Sequence, residues 1–410
     1  FIIAYGFVPM YIYANSDNIR HWRTMLYNDE MSTNFFIGSL IALFFYLVLI
    51  ITYYASGRLS FINRAKEHSE RVFSKTSQSN LFKPACLLFL VGGFSLLVYM
   101  LIVGGFSEYL RVGVILRDDG SYIQHPLMFL KNITPLLCVS SFMFYACIKN
   151  SRGTAKFINL LLFFTSFIGS LLIVFHSGGR MTVLIYIMTF PLAKMIFENK
   201  MKLRTIILGT ILFVTLVLFG DSILKVEAEV TADVSNDSTV DTIMRGVSFP
   251  FVNVATVYEL FPNEYSFRGG VTDIVNAVGG LIPSRIINID FLQGESVSVF
   301  NTQFYRAGGV MPIDIISFGY MSFGLPGVFL TAIIFGVLVK WTENLLSYKK
   351  SLVACTFFVS LMLVYAFRFM YGDPVMFIDA IFRYLVAAIF IWVFYKLRKL
   401  PRIVWSRRPV

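Results

Sequence analysis

The chain has 410 residues, of which 57% are hydrophobic and 14% charged, with a formal net charge of +11 and a mean hydropathy of +0.71. Soluble domains carry roughly a quarter of their residues charged, so lipid rather than water must solvate much of this surface. These numbers exclude an ordinary soluble enzyme and predict an all-α polytopic integral membrane protein.

In chain order, apolar runs predict ten spans: 1–14, 34–55, 83–104, 127–148, 156–176, 181–197, 204–222, 323–341, 351–367 and 375–396. Each is expected to be helical, because a single segment in hydrocarbon satisfies its own backbone only as a helix. A span needs about 20 residues; the first run is shorter, and the sixth and ninth are near the limit. Between the seventh and eighth runs lies 223–319, far longer than any other polar stretch. The expected organisation is one transmembrane domain over 1–410 with 223–319 as a helical extramembrane insertion. Cys86, Cys138, Cys147 and Cys355 all lie in apolar runs without pairing or metal spacing, and read as small packed hydrophobes.

Lysine and arginine set the orientation. With the C-terminal tail cytoplasmic, the inner segments hold 22 of the 35 basic residues and the outer segments 11, although the outer segments are longer. Lys131 and Arg383 fall within spans. The kind of cation also differs: the inner segments carry 13 lysines and nine arginines, the outer ones ten arginines and one lysine, Lys225. Sorting by charge does not produce that skew. Arginine presents a planar fork suited to phosphate and carboxylate, so the outer face is expected to handle an anion. The net charge is then mostly a girdle facing anionic lipid. No nucleic-acid motif is present, and no nucleic-acid partner is expected.

Three outer features carry candidate residues. The long segment begins acidic (227–241) and then turns apolar as VDTIMRGVSFPFVNVATVYELF and VTDIVNAVGGLIPSRI, which read as short amphipathic helices lying on the membrane or capping a cavity. It carries Arg245, Arg268, Arg285 and Arg306, and three Gly-Gly pairs suited to turns or to backbone approaching a ligand. Second, His176-Ser177-Gly178-Gly179-Arg180 joins the fifth and sixth spans. A helix starting there points its positive end outward, and Gly178, Gly179 and Arg180 together form a candidate phosphate seat. His176 is a candidate general base or, alternatively, a packed histidine. Third, Arg368 precedes Tyr371-Gly372-Asp373-Pro374, and Asp379 and Arg383 then share a helix face. No Walker, HExxH, GxSxG or Cys-His zinc pattern occurs, and no metal or cofactor is expected.

The SGGR turn, the large arginine-bearing outer segment and the following GGVMPIDIISFGYMSFGLPGVFLTAIIFGVL resemble Wzy-type oligosaccharide repeat-unit polymerases of bacteria. In layout the resemblance covers most of the chain; in motif it covers about 50 residues. It implies a GT-C-type membrane glycosyltransferase in the inner membrane. Such an enzyme joins glycan repeats carried on undecaprenyl diphosphate, for O-antigen, capsule or related glycans, at the periplasmic face and without a metal. Some members carry Arg-X10-Gly in periplasmic loops; Arg268 and Gly279 have that spacing here, whereas Arg245, Arg285 and Arg306 meet Thr256, Ser296 and Ser317 instead. On this reading Arg180, Arg268 and His176 are the catalytic candidates, with an outer carboxylate such as Asp273 the second choice of base, and Arg245, Arg285, Arg306, Gly178, Gly179 and Arg368 binding diphosphate or glycan. The implied partners are membrane lipids, a chain-length regulator and a flippase. An O-antigen ligase and a lipid-linked-sugar transporter are the alternatives.

Overall fold

A computed structural model describes residues 2–7, 9–11, 31–59, 81–111, 127–200, 203–204, 207–211, 215, 239–279, 296–304, 311–346, 351–368 and 371–398. Helix makes up 86% of it, with no strand among the described residues. A π-helical turn, Ile2–Phe7, comes first. Among the described residues a 3-10 helix, Met128–Asn132, and these α-helices follow: α1 Met31–Ser56, α2 Phe82–Val103, α3 Leu136–Asn150, α4 Gly153–Glu198, α5 Thr239–Leu260, α6 Val271–Gly279, α7 Val297–Thr302, α8 Ile315–Phe323, α9 Leu325–Leu346, α10 Leu352–Arg368 and α11 Pro374–Arg398.

Among the described residues five helices are long and apolar enough to cross a membrane: Asn34–Ser56, Phe82–Val103, Phe129–Lys149, Gly153–His176 and Leu325–Leu346. They coincide with five of the ten expected spans. A shorter apolar helix, Leu352–Ala366, coincides with a sixth. The run 204–222 falls mostly outside the described residues. Within α1, Leu40, Leu43, Leu47 and Ile51 are exposed while Ile41, Ala42 and Phe45 are buried. Both faces are apolar, so the outward face needs a solvent that is apolar too.

Side-chain contacts fix the directions. Phe44 stacks on Phe329, and farther along both helices Lys340 lies over Tyr53, so α1 and α9 run parallel. Gly336 lets them close: a methyl group there would sit 2.9 Å from the Leu49 carbonyl oxygen. Phe82 meets Phe144 and Gly92 meets Leu137, which makes α2 and α3 antiparallel. Phe357 packs on Tyr384 and Tyr365 on Phe377, so α10 and α11 are antiparallel as well.

Helical backbone continues without interruption from Gly153 to Glu198. Yet the rings of Phe163 and Phe190 stand 5.4 Å apart, as do those of Phe167 and Tyr186. Phe163 and Phe190 are 27 residues apart, which in a straight helix is about 40 Å. Both pairs centre between His176 and Ser177, so α4 is two limbs folded against each other there. The hairpin expected from the sequence exists, but its limbs abut with no loop between them. Aromatic packing drives the closure: Phe142 and Tyr145 of α3 wedge against Tyr186 and Phe190, and the Ser141 hydroxyl meets that of Tyr186 at 2.7 Å.

The core has two main parts. One gathers Phe45, Phe251, Val257, Ile316, Met321, Val328 and Phe335 from α1, α5, α8 and α9. The other gathers Leu88, Met143, Phe144, Val353 and Ala387 from α2, α3, α10 and α11.

Candidate functional site

The described parts of the long polar segment fold onto the bundle through α5. Beyond α5 the chain returns alongside the α8–α9 corner, where the amides of Arg268 and Gly269 donate to the carbonyls of Met321 and Ser322, both at 3.0 Å. Gly270 then turns the chain into α6 with φ of +57°; a methyl group there would lie 2.7 Å from Ser322 Oγ. Any side chain would be strained and crowded at this position.

This turn places Asp273 in the first turn of α6, where a negative charge is favoured. Arg268 Nη2 reaches Asp273 Oδ1 at 2.8 Å, and its Nε approaches Oδ2 at 3.5 Å. The side chain of Asp273 is 2% exposed and that of Arg268 is 23% exposed. The guanidinium lies 4.4 Å from the centre of the Phe300 ring. One carboxylate and one ring therefore hold in place a cation that stays partly exposed. Phe300 in turn belongs to a cluster with Phe304 and Tyr265; Phe267 meets Tyr320, which meets Tyr258. Tyr265 and Phe267 are partly open to the surroundings.

Beneath this platform runs a buried polar seam. Asn253 donates to the Pro312 carbonyl at 2.8 Å, and Asn301 donates to Asn253 Oδ1 and to the Met311 carbonyl, both at 3.3 Å. Asp373 accepts from the amides of Ser298 (3.0 Å) and Val375 (2.9 Å), so one carboxylate pins α7 and caps α11. Asp314 caps α8 through the amides of Ile316 (3.0 Å) and Ser317 (3.1 Å). It also accepts from the Ser317 hydroxyl and from the Tyr5 hydroxyl at 2.9 Å. Burial pushes the Asp314 carboxyl up to about 6, against the pull of those four donors. Thr256 Oγ1, Ser298 Oγ and Asn301 Oδ1 are buried with no hydrogen-bond partner among the described residues. Sequence reading passed over Asp314 and the capping role of Asp373. The available signals were a lone acid inside PIDIISFGYM and an Asp-Pro pair opening an apolar run.

His176 lies in a different cluster. Its residue is 4% exposed, stacked on Tyr109 with ring centres 4.1 Å apart and edge-on to Tyr99. Nδ1 is 2.8 Å from the Tyr109 carbonyl oxygen, which can only accept. Nδ1 therefore donates, and Nε2 lies 3.0 Å from the Tyr99 hydroxyl, within hydrogen-bond distance. This clamp ties the reversal of α4 to α2 and to the helical turn at 106–111. No described contact joins it to Arg268.

The remaining candidates are only partly described. Gly178, Gly179 and Arg180 have helical backbone at the reversal, Arg245 lies on α5 and Arg368 ends α10; the side chains of these three arginines lie outside the described residues, as do those of Asp379 and Arg383. Arg285 and Arg306 lie outside the described residues entirely. Among the described residues no group of three or more His, Cys, Asp or Glu side chains stands together as for a metal ion. No protein-family model, curated protein or solved structure matches the chain.

Proposed function

We propose that this protein is a membrane glycosyltransferase that lengthens glycans carried on undecaprenyl diphosphate, with its chemistry at the periplasmic face of a ten-span bundle in the inner membrane of a bacterium. The observation that carries the reading is the arginine platform. Arg268 is held by Asp273 and Phe300 beside an open aromatic surface, and the segments read from the sequence as outer carry arginine almost to the exclusion of lysine. An oriented guanidinium suits a diphosphate, and aromatic rings offer apolar faces against which sugar C–H groups can pack.

In the proposed reaction a hydroxyl oxygen of the acceptor glycan attacks the anomeric carbon of the donor. The new C–O bond forms as the bond from that carbon to the diphosphate breaks. The electron pair leaves with the diphosphate, and the hydroxyl proton passes to a base. Arg268 and Arg180 stabilise the charge developing on the leaving group. Both ring nitrogens of His176 are engaged in the clamp, so in this arrangement His176 acts as a positioning residue for the Arg180 reversal. Asp273 orients Arg268.

Purified protein in proteoliposomes, given lipid-linked single repeats and analysed by gel, is the test. A ladder of longer glycans is expected, in parallel arms with and without chelator. Loss of a diphosphate-binding arginine costs about 3–4 kcal/mol in the barrier, so Arg268→Ala should slow the ladder by about two to three orders of magnitude. Asp273→Ala, which keeps the cation, should slow it less. Repeats that remain single, yet pass to a lipid A core acceptor, would replace this reading with a ligase. Repeats that cross the bilayer without lengthening would replace it with a transporter.

A further inference from the structure

Helix α6 is built inside out. Its apolar residues Val271, Ile274, Val275 and Val278 fall at i, i+3, i+4 and i+7, one face of a helix. In a soluble protein that stripe would face the core. Here Val271 is 63% exposed and Ile274 and Val278 are each 48% exposed. The side turned inward carries Asp273 and Ala277, both buried, and α6 packs there against α11. The ion pair with Arg268 makes burial of Asp273 tolerable; nothing in an aqueous setting would make outward exposure of the valines and isoleucine favourable.

The exposed stripe is not isolated. At the start of α6, Gly270 abuts Ser322 and Phe323, and Phe323 and Leu325 are themselves exposed. From Leu325 the same exposed surface continues along α9 through Phe329, Leu330 and Ile334, the outward face of a helix long and apolar enough to span a membrane. We propose that α6 is an interfacial helix, lying at the membrane surface where α9 enters, with Val271, Ile274 and Val278 sunk into the boundary between headgroups and acyl chains. The occupant of the stripe is lipid, since the stripe continues a surface that only lipid can solvate. Asp273, on the opposite face, then anchors Arg268 at the depth of lipid phosphate groups. The inference rests on the membrane character of the protein and not on the proposed reaction, so either can fail without the other.

Accessibility of spin labels measures this directly. Val271→Cys, Ile274→Cys and Val278→Cys are made singly after the four native cysteines are replaced, then labelled in lipid nanodiscs. Leu330→Cys is the lipid-facing reference and Glu264→Cys, at an exposed residue beyond α5, is the aqueous one. Collisions with oxygen, which partitions into lipid, are compared with collisions with a water-soluble nickel chelate. The three α6 labels are expected to give oxygen-to-nickel ratios close to Leu330→Cys and several-fold above Glu264→Cys. Ratios at the aqueous value would overturn the proposal. So would labels screened from both reagents, which would mean that protein covers the stripe. All three positions are exposed, so the substitutions disturb no packing, and agreement among them guards against one misplaced label.

Discussion

Removing either partner of the Arg268–Asp273 pair should have unequal consequences, because the two are unequally buried. Arg268→Ala leaves a carboxylate that is 2% exposed without its cation. Breaking a buried pair this way costs about 3–5 kcal/mol, and the helix N-terminus around Asp273 returns about 0.3–1 kcal/mol of that, so about 3 kcal/mol is expected. Asp273→Ala leaves a guanidinium that is 23% exposed. That group can take up water and keeps its contact with Phe300, so the loss should be about 1–2 kcal/mol. The double variant buries no unpaired charge and should be more stable than Arg268→Ala alone, with a coupling energy of about 2–3 kcal/mol. Reversible unfolding by titration with sodium dodecyl sulfate in mixed micelles measures all four proteins. Equal losses for the two single variants, adding up in the double, would show that the pair is solvated and that Asp273 does not hold Arg268.

Three further outcomes follow from buried groups. Asp314 has a folded value of about 6, raised by burial; an unfolded aspartate titrates near 3.9. The protonated form is thus favoured in the native state, so the contribution is fully present below about pH 4 and is lost as pH rises through about 6. The loss is about 3 kcal/mol. Asp314→Asn should lack this pH dependence, and a wild-type-minus-variant stability difference that is flat from pH 4 to 7 would contradict the burial argument. Tyr99→Phe removes the buried hydrogen bond to His176 Nε2, at about 0.5–1.5 kcal/mol; an unchanged unfolding midpoint would mean that the bond adds nothing to the clamp. A methyl group on Gly327 would collide with the Gly319 backbone carbonyl, which no side-chain rotation relieves. Gly327→Ala should therefore cost more than the 1–3 kcal/mol usual for overpacking and should lower the yield of monodisperse protein, whereas normal gel filtration would place α8 and α9 farther apart.

The sequence by itself determined the solvent and the elements. Long apolar runs with few charges need lipid, and in lipid a segment must close its own hydrogen bonds, so helices follow from local composition alone. It also located the reversal at His176–Arg180, since two glycines after an apolar run are a local signal, and it read 271–286 as amphipathic, of which Val271–Gly279 is the described helix. Tertiary structure decided what each face meets. The period of α6 shows an apolar stripe but not its direction; only packing against α11 turned Asp273 inward and the valines outward. Asp314 finds the Tyr5 hydroxyl 309 residues away, and Asp373 finds the Ser298 amide 75 residues away. Those distances in sequence leave no periodic trace. Arg268 illustrates both levels: its carboxylate partner is five residues on, within reach of sequence reading, while the ring beneath it and the carbonyls that anchor its backbone belong to α7 and α8. His176 was legible as a histidine at the end of a span, but its chemistry rests on two tyrosines from α2 and the turn beyond it. The Tyr109 carbonyl makes Nδ1 a donor, and chain folding chooses that partner.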